Sequence, residues 1–287
     1  MFLTKLLTEL GLIFKITKRC SKITNKLFGT PGVSLYCFFM SILSGYPIGA
    51  KIICDLYNKN LISEEDAKRM SFFCTTSGPI FVIGAVGVGM LSNLKMGAII
   101  YISHILASLI IGITYNLIFK SKNQTQTKII FTNHPQNNLI SSVLSDTINS
   151  LFMVGGFITI FYLATEVLSV LNIINLSATL LAKIFAFTNI NEQDFIGAIY
   201  GVVEVTHGIK ELSSLKAINI PLICGLISFS GISIIMQSLS FLKQTKIKTH
   251  TFVFSKCVLM ILSMIICKVL LFFWRAIHSF EIVNRHI

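Results

Sequence analysis

The feature that most constrains the fold of this chain is a series of apolar runs interrupted by short segments containing Gly, Pro and Ser. Three of the runs, at 33–43, 80–91 and 195–203, are too short to cross a bilayer as regular helices, because a crossing takes about 20 apolar residues. In lipid, non-helical backbone is tolerated only where protein or a water-filled cavity satisfies its polar groups. The interruptions therefore predict discontinuous or re-entrant helices whose breaks face the interior of a membrane protein.

Longer apolar runs, at 96–119, 151–171, 217–242 and 252–274, are candidates for complete crossings. Hydrophobic residues make up 53% of the 287-residue chain and charged residues only 13%, whereas a soluble domain has about 25% charged residues. The length leaves room for roughly six to nine crossings. The predicted fold class is therefore an all-α, polytopic integral membrane protein. This class excludes an ordinary soluble enzyme and a disulfide-stapled secreted module.

Basic residues outnumber acidic ones: 24 Lys and Arg stand against 12 Asp and Glu, a formal net charge of +12. Many of them lie in short polar stretches between the apolar runs, as at 15–26, 120–128 and 243–256. Cytoplasmic loops of membrane proteins have this distribution. It indicates a lipid bilayer, and not nucleic acid, as the partner of the basic residues.

The sequence contains no motif typical of an enzyme or a metal site. The seven cysteines form no CxxC pair, so we interpret them as small hydrophobic residues. There is no Ser/His/Asp set and no HExxH motif, the patterns that carry hydrolytic and zinc chemistry. We therefore expect no enzyme activity, no catalytic residue, no metal and no cofactor.

Polar segments divide the chain into four parts. Residues 1–30 form an amphipathic, basic N-terminal segment without the cleavage site of a signal peptide, and residues 120–140 form a polar, basic linker. Between and after them lie a first membrane half at 31–119 and a second at 141–287. We expect both halves to contain discontinuous helices, around 44–49, 75–79 and 228–231.

The two halves share a weak internal sequence repeat. Each contains a Gly-x-Lys step followed by a Ser-Gly break in an apolar run: Gly49 to Lys51 with Ser77-Gly78, and Gly208 to Lys210 with Ser230-Gly231. Interrupted segments in matching positions of two repeats point to the binding site of a transporter. Two Ser-Gly dipeptides in a chain with 18 glycines also arise by chance, so both interpretations are open.

The first candidate site is the break in the first half, and its members are Ser44, Gly45, Tyr46, Pro47, Gly49 and Lys51. Glycine and proline leave backbone polar groups without helical partners, and such groups can coordinate a polar substrate. Lys51 can pair with a carboxylate. The alternative is a tight turn at the membrane edge, with Lys51 extending to the interface.

The second candidate site precedes the next apolar run, and its members are Thr76, Ser77, Gly78 and Pro79. Hydroxyl groups before a helix that opens at Ile80 would place donors and a positive helix end against an anionic group. The alternative is that these residues only cap the helix.

The third candidate site lies in the second half, and its members are Glu204, Thr206, His207, Ser230, Gly231 and Gln237. A carboxylate beside an imidazole within a membrane can bind a coupling proton or a polar ligand. Alternatively, the group lies at the interface, and Glu204 pairs with Lys210 or another basic residue. Two other groups are interpreted as structural: His104 as a hydrogen bonder between helices, and Lys256 as a lysine near the interface.

The segments 44–51 and 75–89, taken together, resemble the YlbJ-type sporulation integral membrane proteins. These belong to a wider group with nucleoside-recognition (gate) domains that is related to concentrative nucleoside transporters. The resemblance is close over 31–92 and looser at 201–210 and 228–237. By motif, the resemblance implies two gate-like halves and a substrate site in which the members of the first and second candidate sites carry over, together with Glu204, Thr206, Gly208, Ser230 and Gly231 in the second half.

The resemblance implies a transporter of endospore-forming bacteria that moves a small anionic metabolite, with dipicolinic acid as the first candidate, across the outer forespore membrane from the mother-cell side. A passive or ion-coupled carrier fits the sequence, and an assembly of several identical copies is compatible with it. The alternatives are a membrane scaffold for other sporulation proteins and a nucleoside-type carrier.

Overall fold

The chain is all-helical in the computed structural model, which describes residues 13–119, 139–187 and 190–284. No strand occurs in these ranges, so the predicted all-α class is confirmed. The amphipathic segment predicted at 1–30 is described from residue 13 onwards. Most of the linker predicted at 120–140 lies outside the described residues.

The first half consists of two interrupted helix pairs followed by a long helix. After α1 (Ile13–Phe28), the first pair is α2 (Val33–Ser44) and α3 (Ile48–Asn58). The second pair is α4 (Glu64–Phe73) and a π-helix (Ile80–Met90), and the long helix is α5 (Leu94–Ile118).

The second half repeats this order. Its first pair is α8 (Glu192–Val203) and α9 (Val205–Ser213), its second pair is α10 (Ile220–Phe229) and α11 (Gly231–Leu242), and its long helix is α12 (Thr249–Asn284). Two further helices, α6 (Leu139–Val170) and α7 (Ile173–Ile184), lie between the halves in sequence. The predicted breaks are confirmed, and the repeated order supports the internal repeat.

Within the described residues, four helical segments are long and apolar enough to cross a membrane: α5, the 143–170 part of α6, the 220–245 segment and the 249–276 part of α12. By length and composition, the 20–28 part of α1 and the whole of α2, bent by 82° to each other, give a fifth crossing if they form one span. This number is below the six to nine crossings expected, because much of the apolar sequence lies in the short interrupted helices.

The hydrophobic cores of the two halves interlock. The core around α2, α3 and α4 also contains Ile235 and Leu242 of α11. Conversely, Val82 and Val86 of the π-helix belong to the core formed by α9 and α10. The helix that follows the second break of each half thus packs into the other half, which brings the breaks of both halves to the centre of the molecule.

Candidate functional site

The four breaks lie in two close backbone contacts. A Cβ atom added to Gly45 would lie 2.7 Å from the backbone nitrogen of Gly78, so only glycine fits there. A Cβ atom added to Gly231 would lie 3.1 Å from the nitrogen of Val205, directly after the break at Glu204. We call the first contact, with residues 45–47 and 74–79, the first break pair, and the second contact, with residues 204 and 228–231, the second break pair.

His104 of α5 joins the two break pairs. Its Nε2 accepts a hydrogen bond from the backbone N–H of Ser77 at 3.0 Å, and its Nδ1 lies 2.8 Å from the Oγ of Ser228. Because Nε2 accepts, the hydrogen-bond network assigns the proton of the neutral ring to Nδ1, which donates to Ser228. The fully buried imidazole therefore links the backbone of the first half to a side chain of the second.

Lys256 of α12 extends into the first break pair. Its Nζ donates to the carbonyl oxygen and the Oγ1 of Thr75, both at 2.8 Å, and to the hydroxyl of Tyr46 at 3.2 Å. The amine also lies 4.8 Å from the centre of the Tyr46 ring, and the side chain of Ser230 lies next to the Tyr46 hydroxyl. Lys256 is 1% exposed, and no ion pair in the described part of the chain involves it.

The non-helical backbone of the first break pair is held by hydroxyl groups. The N–H of Thr76 donates to the Oγ of Ser41 at 2.9 Å, and the two hydroxyls lie 2.9 Å apart. Since buried backbone donors need a partner, these contacts allow the segment before Ile80 to remain non-helical in the protein interior.

The second break pair contains a buried carboxylate. Oε2 of Glu204 accepts a hydrogen bond from the backbone N–H of His207 at 2.7 Å, and Glu204 is 1% exposed. It therefore caps α9, where a negative charge is favourable. The proposed partner Lys210 is exposed, so the alternative of an interfacial pair between these two residues is wrong.

The imidazole of His207 faces α6. Nδ1 lies 2.8 Å from the Oγ1 of Thr165. The ring stacks on Tyr162 at a centroid distance of 4.5 Å and lies tilted against Tyr200 at 4.2 Å. His207 is thus one helical turn away from the break and does not enter the contact between the halves.

Other predicted residues have different surroundings. Lys51 donates to the Oγ of Ser150 on α6 at 2.8 Å and lies 5.9 Å from the ring centre of Phe241, so its amine is directed to α6. Ser44 and Thr206 are partly buried beside their breaks. Pro79 directly precedes the π-helix. A role of these residues in substrate binding stays a prediction.

Gln237 has a buried amide nitrogen, and Ser233 has a buried hydroxyl, for which the described part of the chain provides no hydrogen-bond partner. The two residues are four positions apart on α11 and share one face of it. Buried polar groups are normally paired. The amide nitrogen of Gln237 and the hydroxyl of Ser233 are therefore available to a ligand. Both lie on α11, which starts at the second break pair.

Two residues of the centre were not predicted as site residues. Lys256 was expected to extend its amine to an interface, whereas the side chain is buried about two turns into α12, where Thr75 and Tyr46 surround the amine. The interpretation of His104 as a hydrogen bonder between helices is confirmed, but its connection of both break pairs was not foreseen. The sequence feature that could have identified both as site residues is that each is an ionisable residue within a long apolar run.

The arrangement is suited to holding a small anion. The helices α3, α9 and α11 and the π-helix all begin at the breaks, and helix N-termini carry partial positive charge. Lys256 adds a cationic group when it is protonated. No group of three or more His, Cys, Asp or Glu side chains that could hold a metal ion occurs among the described residues.

The chain is similar to the sporulation integral membrane protein YlbJ of Bacillus subtilis (strain 168). The two are 26% identical over 275 residues, which cover 87% of this chain and 67% of the relative. The resemblance inferred from the motifs is thereby confirmed, and the similarity supports an integral membrane protein of a sporulating bacterium. No family model and no solved structure matches the chain.

Proposed function

We propose that this YlbJ-like membrane protein is a carrier for a small organic anion, with dipicolinate as the first candidate, in the outer forespore membrane. The observation that carries the proposal is the position of the Lys256 amine. It is buried where helix N-termini of both halves meet, and its partners are the neutral groups of Thr75 and Tyr46.

The electrostatic argument is that an unpaired buried cation is costly. Moving an ammonium from water into a low-dielectric protein interior costs on the order of several kcal/mol of hydration free energy, even after the protein relaxes around it. Hydrogen bonds from carbonyl and hydroxyl oxygens recover part of this cost, and a carboxylate of the substrate would recover more. Ionisable residues inside a membrane protein commonly mark the pathway of an ion or a substrate.

The interrupted helices give the site its second property, which is a set of helix N-termini directed at one point. Broken helices whose N-termini point at an anionic group form the substrate sites of several transporter folds. On α11, Ser233 and Gln237 add unpaired polar groups that are suited to the remaining acceptors of a polar substrate. A small planar dicarboxylate matches this set of donors.

Transport requires the centre to open, because its residues are closed off from solvent here. Ser77 is 4% exposed and Ser230 is 1% exposed, so we interpret the conformation as an occluded one. Opening by a relative movement of the two halves, as in other carriers built from repeats, would separate the groups that His104 connects. The carrier acts without enzymatic turnover in this proposal.

The test is uptake of radiolabelled dipicolinate into lipid vesicles that contain only this protein. We expect saturable uptake that empty vesicles lack. Excess unlabelled dipicolinate should compete, whereas competition by a nucleoside would favour the nucleoside-type carrier. Absence of uptake by folded, correctly inserted protein would contradict the proposal.

The scaffold alternative is tested in sporulating cells that carry Lys256→Met. A carrier predicts spores with little dipicolinate although the variant accumulates in the membrane. Normal dipicolinate content would favour a scaffold. Lys268→Met is the matched control, because Lys268 lies on the same helix and is exposed.

A further inference from the structure

The side chain of His207 lies in a distinct polar cluster outside the two break pairs. The ring is stacked on Tyr162 of α6 and lies tilted against Tyr200 of α8, and the residue is only 6% exposed. Its Nε2 lies 3.8 Å from an oxygen of Glu211 and 4.0 Å from an oxygen of Glu166. One imidazole nitrogen thus faces two carboxylates.

The hydrogen bonds of the cluster assign the tautomer of the neutral ring. The single hydroxyl proton of Thr165 is donated to the carbonyl oxygen of Tyr162 at 2.6 Å. The Oγ1 of Thr165 therefore accepts from Nδ1–H of His207 at 2.8 Å, and the neutral ring has its lone pair on Nε2. That lone pair points towards negative charge, which is an unfavourable arrangement.

We infer that Nε2 of His207 is the binding site of a proton that is transported together with the substrate. The proton adds to the Nε2 lone pair and forms an imidazolium, and no other bond is made or broken. The cation then lies between two carboxylates and two aromatic faces, all of which stabilise positive charge. Proton coupling rests on the proposed carrier function, whereas proton binding does not.

The groups that face the ring come from three helices and are predominantly acidic. The titratable side chains around His207 are Tyr162 and Glu166 of α6, Tyr200 of α8, and Glu204 and Glu211 of α9 itself. The π-helix and α10 also pack against α9, and they contain no acidic or basic side chain apart from the thiol of Cys224. The side chains of Glu166 and Glu211 are 49% and 44% exposed, so a proton can reach the cluster from outside the core.

The same residue connects the cluster to the second break pair. The backbone N–H of His207 donates to Glu204, and the break after Glu204 holds Gly231 against Val205. A movement of α9 that accompanies protonation would therefore act directly on the contact that begins α11. This provides a physical route from proton binding to opening of the centre.

The test of coupling compares two transport modes in vesicles with dipicolinate as the probe. We expect that an imposed proton gradient accelerates net uptake by the wild type several-fold. His207→Gln should abolish this acceleration and retain exchange of external for internal dipicolinate. His250→Gln, which changes an exposed histidine at the start of α12, should behave like the wild type. A gradient response that persists in His207→Gln, or is missing in the wild type, would overturn the inference.

A second measurement separates failure of the proton site from failure of the carrier proposal. Nitrogen-15 NMR of labelled histidines, assigned with His207→Gln, reports protonation of Nε2 in the purified protein without any substrate. We expect His207 to become protonated on acidification, and less readily in a Glu166→Gln, Glu211→Gln double variant that retains the imidazole. If the ring stays neutral, or the double variant titrates like the wild type, the site is disproved even where dipicolinate is transported. If the expected titration is seen without transport, only the carrier proposal fails.

Discussion

The two break pairs have the same backbone construction and opposite charge. In each, a glycine closes a contact between two interrupted helix pairs. The first pair receives the Lys256 amine, which has neutral partners, whereas the second contains the buried carboxylate of Glu204. Under the proposed function, the first break pair recognises the anion, and His207, one turn beyond the second break pair, binds a proton.

His104 and His207 differ in the surroundings of Nε2, and this difference decides which of them can bind a proton. In His104, Nε2 accepts a backbone N–H, so protonation would cost a buried hydrogen bond. In His207, Nε2 faces carboxylates, so protonation creates favourable contacts. The same side chain is therefore a fixed connector at the centre and a proton acceptor one turn beyond the second break.

The largest expected effect comes from adding a methyl group at a tight backbone contact beside each break pair. A Cβ atom on Gly49 would lie 1.8 Å from the carbonyl oxygen of Cys74, and one on Gly208 would lie 2.2 Å from the Cα of Gly201. We expect Gly49→Ala and Gly208→Ala each to lower stability by about 3 kcal/mol or more, since overpacking of this degree displaces backbone. Thermal unfolding in detergent measures the effect.

Matched controls are available, because Cβ atoms at Gly84 and Gly155 would meet nothing within 4 Å. Alanine at these positions should change stability by at most about 1 kcal/mol. If one half tolerates its close-contact substitution and the other does not, the equivalence of the two constructions is refuted.

A smaller effect is expected from removing the connector. His104→Ala leaves the buried N–H of Ser77 without its acceptor and also removes the bond to Ser228, so we expect a loss of roughly 2–4 kcal/mol. Ser228→Ala removes only the bond in the second half and should cost about 1 kcal/mol. The free energies of unfolding of the two variants, measured under the same conditions, check this order. Equal losses would show that the hydrogen bond from the Ser77 N–H to His104 is not the dominant contact.

The smallest effect is expected at the acidic cap. Glu204→Gln retains an oxygen that accepts from the His207 N–H but removes the charge at the start of α9, so stability should fall by about 0.3–1 kcal/mol. Dipicolinate affinity, measured by calorimetry, should be unchanged or higher, because a negative charge near the anion is removed. Complete loss of binding would instead make Glu204 a substrate ligand.

The breaks were predictable from sequence because their causes are local. Gly45, Pro47 and the Thr-Ser-Gly-Pro segment at 76–79 disfavour a continuous helix wherever they occur, and apolar flanks place them in the membrane. The prediction of discontinuous helices needed no knowledge of their partners.

The centre was less predictable because it depends on contacts between distant parts of the chain. Lys256 lies 181 residues from Thr75 and 210 from Tyr46, and a lysine near the start of an apolar helix is typical of an interfacial position. Its burial follows from the way the two halves interlock, which no local pattern reveals. Lys51, by contrast, is part of a conspicuous motif and yet binds Ser150 on α6.

The most direct test of the charge division is dipicolinate binding to purified wild-type protein, Lys256→Met and Lys268→Met, measured by calorimetry. Loss of one charged hydrogen bond costs about 1.5–3 kcal/mol, so Lys256→Met should bind roughly ten- to a hundred-fold more weakly. Lys268→Met should bind like the wild type. Equal affinities of all three proteins would contradict an anion site in the first break pair.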